Sequence, residues 1–242
     1  MHIDRMRTST AVALALLLAF PALAQKRRAV RHPGTPVVSQ PQTIVLAPSK
    51  DNTLYESSNG SLSNGSGIHV FTGNTATGSH RRALLAFDLS QIPPGSRITR
   101  IQLKTTVSMS VSSGGRVALH ALLADWGEGS SNAGLSGDGG GTPARMNDAT
   151  WLHRFFPSIP WTTPGGDFET VADAAPVSAV AGATWETEGM IARVQQWVDQ
   201  PSTNFGWIAI GDERANRTAK RFDSREVTGA TKPSLTVEYI PR

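Results

Sequence analysis

The sequence predicts an all-β protein, an antiparallel β-sandwich of jelly-roll type with one short α-helix and a long glycine-rich excursion. Three observations predict it. From Thr43 onward, short apolar runs recur between clusters of Gly, Asn, Ser and Pro, the punctuation of strands and turns. The longest run, RITRIQLKTTVSMSV at 97–111, alternates apolar and polar residues through Ile101, Leu103, Val107, Met109 and Val111, as a half-buried strand does. Only one segment, TEGMIARVQQWVDQP, repeats its apolar residues at helical spacing.

Taken in order, the chain of 242 residues opens with MHIDRMRTSTAVALALLLAFPALAQ. Arg5 and Arg7 precede an apolar run from Ala11 to Phe20 that is too short to span a bilayer, and ALA at 22–24 is a small-x-small cleavage signature. Residues 1–24 therefore read as a secretory signal peptide. Residues 25–42 follow as a basic, proline-containing linker with Lys26, Arg27, Arg28 and Arg31. Residues 43–242 form the single sandwich domain. Its expected strands are TIVLAPS, GIHVFTG, RRALLAFDLS closed by the turn QIPPGS, the long run at 97–111, GRVALHALLADW, NFGWIAIGD, TAKRFDSRE and PSLTVEYI. In the helix, Met190, Ile191, Val194, Trp197 and Val198 share a face, Thr187 can cap the start, and Pro201 ends it. Between Gly127 and Gly182 the strand pattern breaks into a Gly-rich, polar stretch, and a connector of that length is usually functional or mobile.

Composition excludes several classes. There is no cysteine, so no disulfide can support an exported chain and the core must do so alone. The net charge of +4 belongs to the leader and linker. Without their six Lys and Arg and without Asp4, the 23 basic and 19 acidic residues fall to 17 and 18. A nearly neutral body argues against a nucleic-acid surface, and no further apolar stretch reaches membrane-spanning length.

Five segments carry a family resemblance: RRALLAFDLSQIPPGS, the WGE at 126–128, TPGGDF, VQQWVDQPSTNFGW, and FDSRE with KPSLTVEYI. In this combination and order the chain resembles the DNRLRE domain family, over about Thr43 to Tyr239. The resemblance implies a secreted jelly-roll sandwich of the carbohydrate-binding-module kind. Such domains occur in large surface proteins and beside polysaccharide-degrading enzymes, and at least one branch is associated with alginate. It implies a non-catalytic module that binds a polysaccharide. A structural or adhesion component of a surface layer and a small polysaccharide lyase or hydrolase stay open as alternatives.

The candidate residues fall into four groups. In FDSRE, a continued strand would put Arg221, Asp223 and Arg225 on one face and Phe222, Ser224 and Glu226 on the other. Glu226, near the strand end, is expected to pair with Arg82, so that Arg82, Arg225 and Glu226 form a structural clamp rather than a catalytic cluster. Asp51, Asn52 and Glu56 in SKDNTLYE offer oxygen ligands of the kind calcium takes, and an Asx turn at Asp51–Asn52 explains the same residues. Calcium is the one cofactor the sequence raises. Trp126, Trp151 and Trp161 flank or occupy the excursion and, with Asp167, are the candidate ligand-binding residues, because an exposed ring face covers the C–H patches of a sugar. Trp185, Trp197 and Trp207 sit in regular elements and are expected in the core. The loop carboxylates Asp125, Glu128, Asp138, Asp148 and Asp167 have no spacing that selects a glycosidase pair. GDGGGTP precedes no strand–helix unit and is not a nucleotide cradle.

Overall fold

A computed structural model describes residues 39–111, 115–178 and 181–242. The expected signal peptide and most of the linker lie outside the described residues. Among the described residues, fifteen strands run in chain order: β1 (Gln42–Leu46), β2 (Lys50–Tyr55), β3 (Leu62–Ser63), β4 (His69–Asn74), β5 (His80–Ala86), β6 (Arg97–Ser110), β7 (Arg116–Ala121), β8 (Thr142–Pro143), β9 (His153–Phe155), β10 (Ile159–Pro160), β11 (Ala174–Ser178), β12 (Gly182–Trp185), β13 (Trp207–Ile210), β14 (Lys220–Asp223) and β15 (Ser234–Ile240). Helix α1 is a single turn at Gly134–Gly137, and α2 spans Glu188–Asp199.

The pairings are antiparallel, and the main sheet runs β1-β15-β6-β14-β4-β5-β13-β7-β11, with β12 beside β6 and β2 beside β5. The sheet curls so that β15, β6 and β12 face β5, β13 and β7 across a shared core. That core contains Ile101, Leu103, Trp185, Leu235 and Val237 from one side and Leu85, Leu119 and Trp207 from the other, all buried. This is the expected all-β sandwich. Its longest strand is less regular than strict alternation implies. Opposite β15, Arg100 pairs with Glu238 but Ile98 with Tyr239, leaving Thr99 as an extra residue. Opposite β14, Met109 pairs with Arg221 but Val107 with Phe222, leaving Ser108 extra. Two such bulges let one 14-residue strand bend between the layers.

Helix α2 follows its sequence signals. Met190 N donates to Thr187 Oγ1 at 3.2 Å, which caps the start. Met190, Val194, Trp197 and Val198 are buried on the core, with the Trp197 ring 4.6 Å from that of Trp207. Gln195 Oε1 accepts the Ile98 amide at 2.8 Å and ties the helix to β6.

The excursion is not a structureless loop. It contributes α1 and β8 to β11, and it forms a third layer on the outer face of β2, β5, β13 and β7. There Trp126, Ala149, Trp151 and Trp161 pack on Leu54, Leu84, Leu122 and Ile208 in a second apolar cluster. A flat sheet face of Leu and Ile would otherwise meet water, so the excursion's aromatic residues are what completes the domain. No helix among the described residues is long and apolar enough to cross a membrane.

Candidate functional site

The charged pair at Arg82 comes directly from strand register. β13 pairs with β5 so that Ile210 lies opposite Arg82, and the chain leaving β13 brings Glu213 alongside. Arg82 Nε and Nη2 donate to the two Glu213 oxygens, both at 2.8 Å, and Nη1 donates to the Gly165 carbonyl at 2.8 Å. The guanidinium also lies 4.8 Å from the centre of the Trp151 ring. Gly165 belongs to TPGGDF and has a φ of +90°; a Cβ there would sit 2.6 Å from Arg82 Nη1. Only glycine lets that loop close on the arginine. The clamp at Arg82 therefore exists, but Glu213 completes it, and the expected Arg82–Glu226 pair is corrected.

Glu226 is elsewhere because β14 ends at Asp223 and the chain turns at Arg225 and Glu226. Alternation stops with the strand, so Arg225 does not share the face of Arg221. Its backbone N–H donates to Asp51 Oδ2 at 2.7 Å. Its Nη1 reaches Glu128 Oε1 and Oε2 at 3.1 and 3.0 Å and Glu226 Oε1 at 3.1 Å. Glu128 Oε1 also accepts the Asp51 amide at 2.8 Å. FDSRE is thus a clamp joining β2, the WGE segment and the turn after β14. Asp51, Glu128 and Glu226 bring carboxylate oxygens within 4.8 Å of one another around this arginine. Burial, more than the neighbouring Glu226 and Glu128, pushes the Asp51 carboxyl well above the ordinary range. Burial raises Glu128 as well.

The proposed calcium ligands do not assemble. Asp51 joins Glu128 and Glu226. Asn52 Nδ2 donates to Ser63 Oγ at 2.9 Å and the Glu128 carbonyl at 2.8 Å, while its Oδ1 accepts the Thr53 amide at 2.7 Å. Glu56 pairs with His80, its Oε2 accepting the His80 amide at 2.7 Å. Consecutive residues on β2 point to opposite faces, which separates Asp51 from Asn52.

None of the three candidate tryptophans is a platform. Trp126, Trp161 and Trp151 are 1%, 4% and 8% exposed. Trp126 Nε1 donates to the Phe205 carbonyl and Trp161 Nε1 to the Thr150 carbonyl, each at 2.9 Å. Trp151 stacks on His80. All three anchor the third layer, which corrects the expectation of an exposed ring. Asp167 accepts the Thr162 and Thr163 amides at 2.8 and 2.9 Å and holds its own loop. The other loop carboxylates are similarly engaged. Asp125 pairs with Lys50, and Asp148 accepts the Ser130 and Arg145 amides. Trp185, Trp197 and Trp207 lie in the core as expected.

A different surface combines charge with accessible apolar groups. On the outer face of β4 and β14, register sets Phe71 opposite Arg221 and His69 opposite Asp223, while Val70 and Phe222 point inward to the core. Beside Phe71 lies a cleft of about 260 Å³ lined by Arg81, Lys220 and Arg221 together with Phe71, Met109 and Val111. Its lining includes three cations and no carboxylate. Met109 and Val111 are more than half exposed at the rim. The cations are recessed: Lys220 is buried, its Nζ donating to Ser110 Oγ at 2.8 Å, and burial holds both Lys220 and Arg81 below their ordinary pKa values. The far wall is the glycine run of GDGGGTP. Gly139 lines the cleft, and its carbonyl accepts Arg81 Nε at 3.2 Å. At Gly141, φ is +73°, and a Cβ would press the Tyr55 ring at 3.1 Å. Gly141 is glycine because its backbone lies against the Tyr55 ring, whereas a Cβ at Gly139 would make only ordinary contact with Phe71, at 3.7 Å.

Sequence reasoning missed this cleft, since its parts come from four strands and the excursion. The signal present was the AKR of TAKRFDSRE, a doubled cation entering a strand. No known family model matches this chain, and no curated protein matches it either.

Proposed function

We propose that this chain is an exported, non-catalytic module that binds an acidic polysaccharide in the cleft of Arg81, Lys220 and Arg221. The observation that carries the reading is the combination of recessed cations with an exposed apolar rim. A uronate or sulfated sugar presents an anion beside C–H patches, and a partly dry cationic pocket attracts it more strongly than the same charges in water would. The buried tryptophans remove the exposed-platform form of sugar binding, and the cationic groove is the other form that such a module can take. The resemblance to DNRLRE domains, including a branch associated with alginate, supports the same class of ligand. The clustered carboxylates Asp51, Glu128 and Glu226 converge on Arg225 in a clamp with Asp51 buried, which favours binding over hydrolysis.

Affinity electrophoresis of the mature chain through gels containing alginate, dextran sulfate or unmodified dextran tests the reading. Retardation by the two acidic polymers, lost in Arg221→Gln, is expected. Equal migration in all three gels replaces the reading with a structural or adhesion role.

A further inference from the structure

Arg221 faces more than the cleft. Asp138, at the start of the glycine wall, places Oδ2 3.9 Å from Arg221 Nη1 and 2.5 Å from His69 Nδ1. The other ring nitrogen, His69 Nε2, lies 3.9 Å from Asp223 Oδ1. His69, Asp138 and Asp223 are all buried. The charged and titratable groups linked to the imidazole are Asp223 of β14 and Asp138 of the wall, and through Asp138 also Arg221 of β14 and Tyr55 of β2. Tyr55 donates its hydroxyl to the Asp138 carbonyl at 2.7 Å. Arg81 of β5 sits over the Tyr55 ring at 5.0 Å.

We propose that His69 and Asp138 form a charge gate on this cleft, which tightens its hold on an acidic polysaccharide as the pH falls. The gate rests on the binding reading above. With a neutral imidazole, His69 donates one N–H to Asp138, and the Asp138 carboxylate keeps its full charge beside Arg221, where it opposes an incoming anion. Protonated, His69 presents an N–H to each flanking carboxylate, Asp138 through Nδ1 and Asp223 through Nε2. The local charge rises by one unit, the charge of Asp138 is balanced from behind, and Arg221, whose Nε donates to Ser108 Oγ at 3.1 Å, turns its Nη1 end to the ligand. Asp138 is a positioning residue in this scheme: it touches Arg221 and holds the wall, and it does not touch the ligand. The same two contacts give the one acidic residue of GDGGGTP a structural role.

The test is a pH series, from about pH 8 to about pH 5, of the affinity for dextran sulfate, whose charge does not change over that range. The wild type should bind about fivefold more tightly at the acidic end, the size of one partly exposed ion pair. His69→Asn, which keeps a donor toward Asp138 but cannot charge, should lose that gain. Asp138→Asn can still accept from His69, so the wall stays anchored. It should bind at about pH 8 as tightly as the wild type does at about pH 5, with little further change on acidification. Circular dichroism of both variants confirms that they are folded. Retention independent of pH in the wild type, or the same pH gain in Asp138→Asn, overturns the gate while leaving the binding site standing. No retention of any variant at any pH overturns the binding reading itself.

Discussion

Replacing Glu213 with alanine leaves Arg82 with a carbonyl partner but no counter-charge. Both side chains are largely buried, at 14% and 19% exposure, and both terminal contacts of the fork are 2.8 Å. Stranding one member of a buried pair costs about 3–5 kcal/mol. Residual exposure puts Glu213→Ala at the low end, about 3 kcal/mol. Arg82→Ala also removes the bond to Gly165 and the contact with the Trp151 ring, which adds about 1 kcal/mol. The double variant loses the pair once. It should cost about 4–5 kcal/mol rather than the sum of about 7, an interaction energy of about 2–3 kcal/mol. At about 2–4 °C per kcal/mol for a domain of this size, Glu213→Ala should melt about 6–12 °C below the wild type. Urea melts of the four proteins, with unchanged slope, give the cycle directly. Glu226→Ala serves as control: it should cost about 1 kcal/mol or less and add independently to Arg82→Ala. If the Arg82–Glu213 cycle is additive while Arg82–Glu226 couples, the register argument is wrong.

Three further outcomes follow from the same contacts. Trp161→Ala should destabilise by about 3–5 kcal/mol, measured by urea melts, and leave dextran sulfate affinity of the folded protein unchanged, because the ring is an anchor. Asp51 and Glu128 are held above their ordinary values, so between their unfolded and folded pKa values the native state binds more protons than the unfolded chain, and stability from these groups is full below about pH 4 and declines as pH rises. Asp51→Asn removes one such group. Its stability relative to wild type should therefore increase from about pH 4 to about pH 8 in urea melts, and a constant or reversed difference would refute the assignment. Exported protein should begin at Gln25 on N-terminal sequencing, as the cleavage signature directs; retained Met1 would refute the leader.

The elements legible from sequence were those with at least one apolar face. β15 alternates because its inner residues meet the core, β5 and β13 read as short apolar runs because both of their faces are covered, and Thr187 announced α2 through its cap. β2 was not legible, because Asp51, Asn52 and Thr53 are buried against polar partners rather than against carbon. A polar strand has no hydrophobic period and reads as a turn. The partner of Arg82 was not legible either, since Glu226 and Glu213 are both remote in sequence and only the β5–β13 register chooses between them. The excursion's tryptophans read equally well as platforms or anchors until the uncovered face of β2, β5, β13 and β7 was seen to need a cover. The pairing of His69 with Asp138 joins residues 69 positions apart, on a segment whose Gly141 lies against the Tyr55 ring.

Under the proposed function, recessed cations in the cleft beside Phe71 hold an acidic polysaccharide. Isothermal titration of the mature wild type and Arg221→Gln with alginate oligosaccharides, at low and high salt, tests it most directly. Binding that weakens with salt and falls about fivefold or more in Arg221→Gln is the predicted result, since a recessed ion pair is lost. Binding unaffected by Arg221→Gln, or equal binding of neutral oligosaccharides, would contradict it.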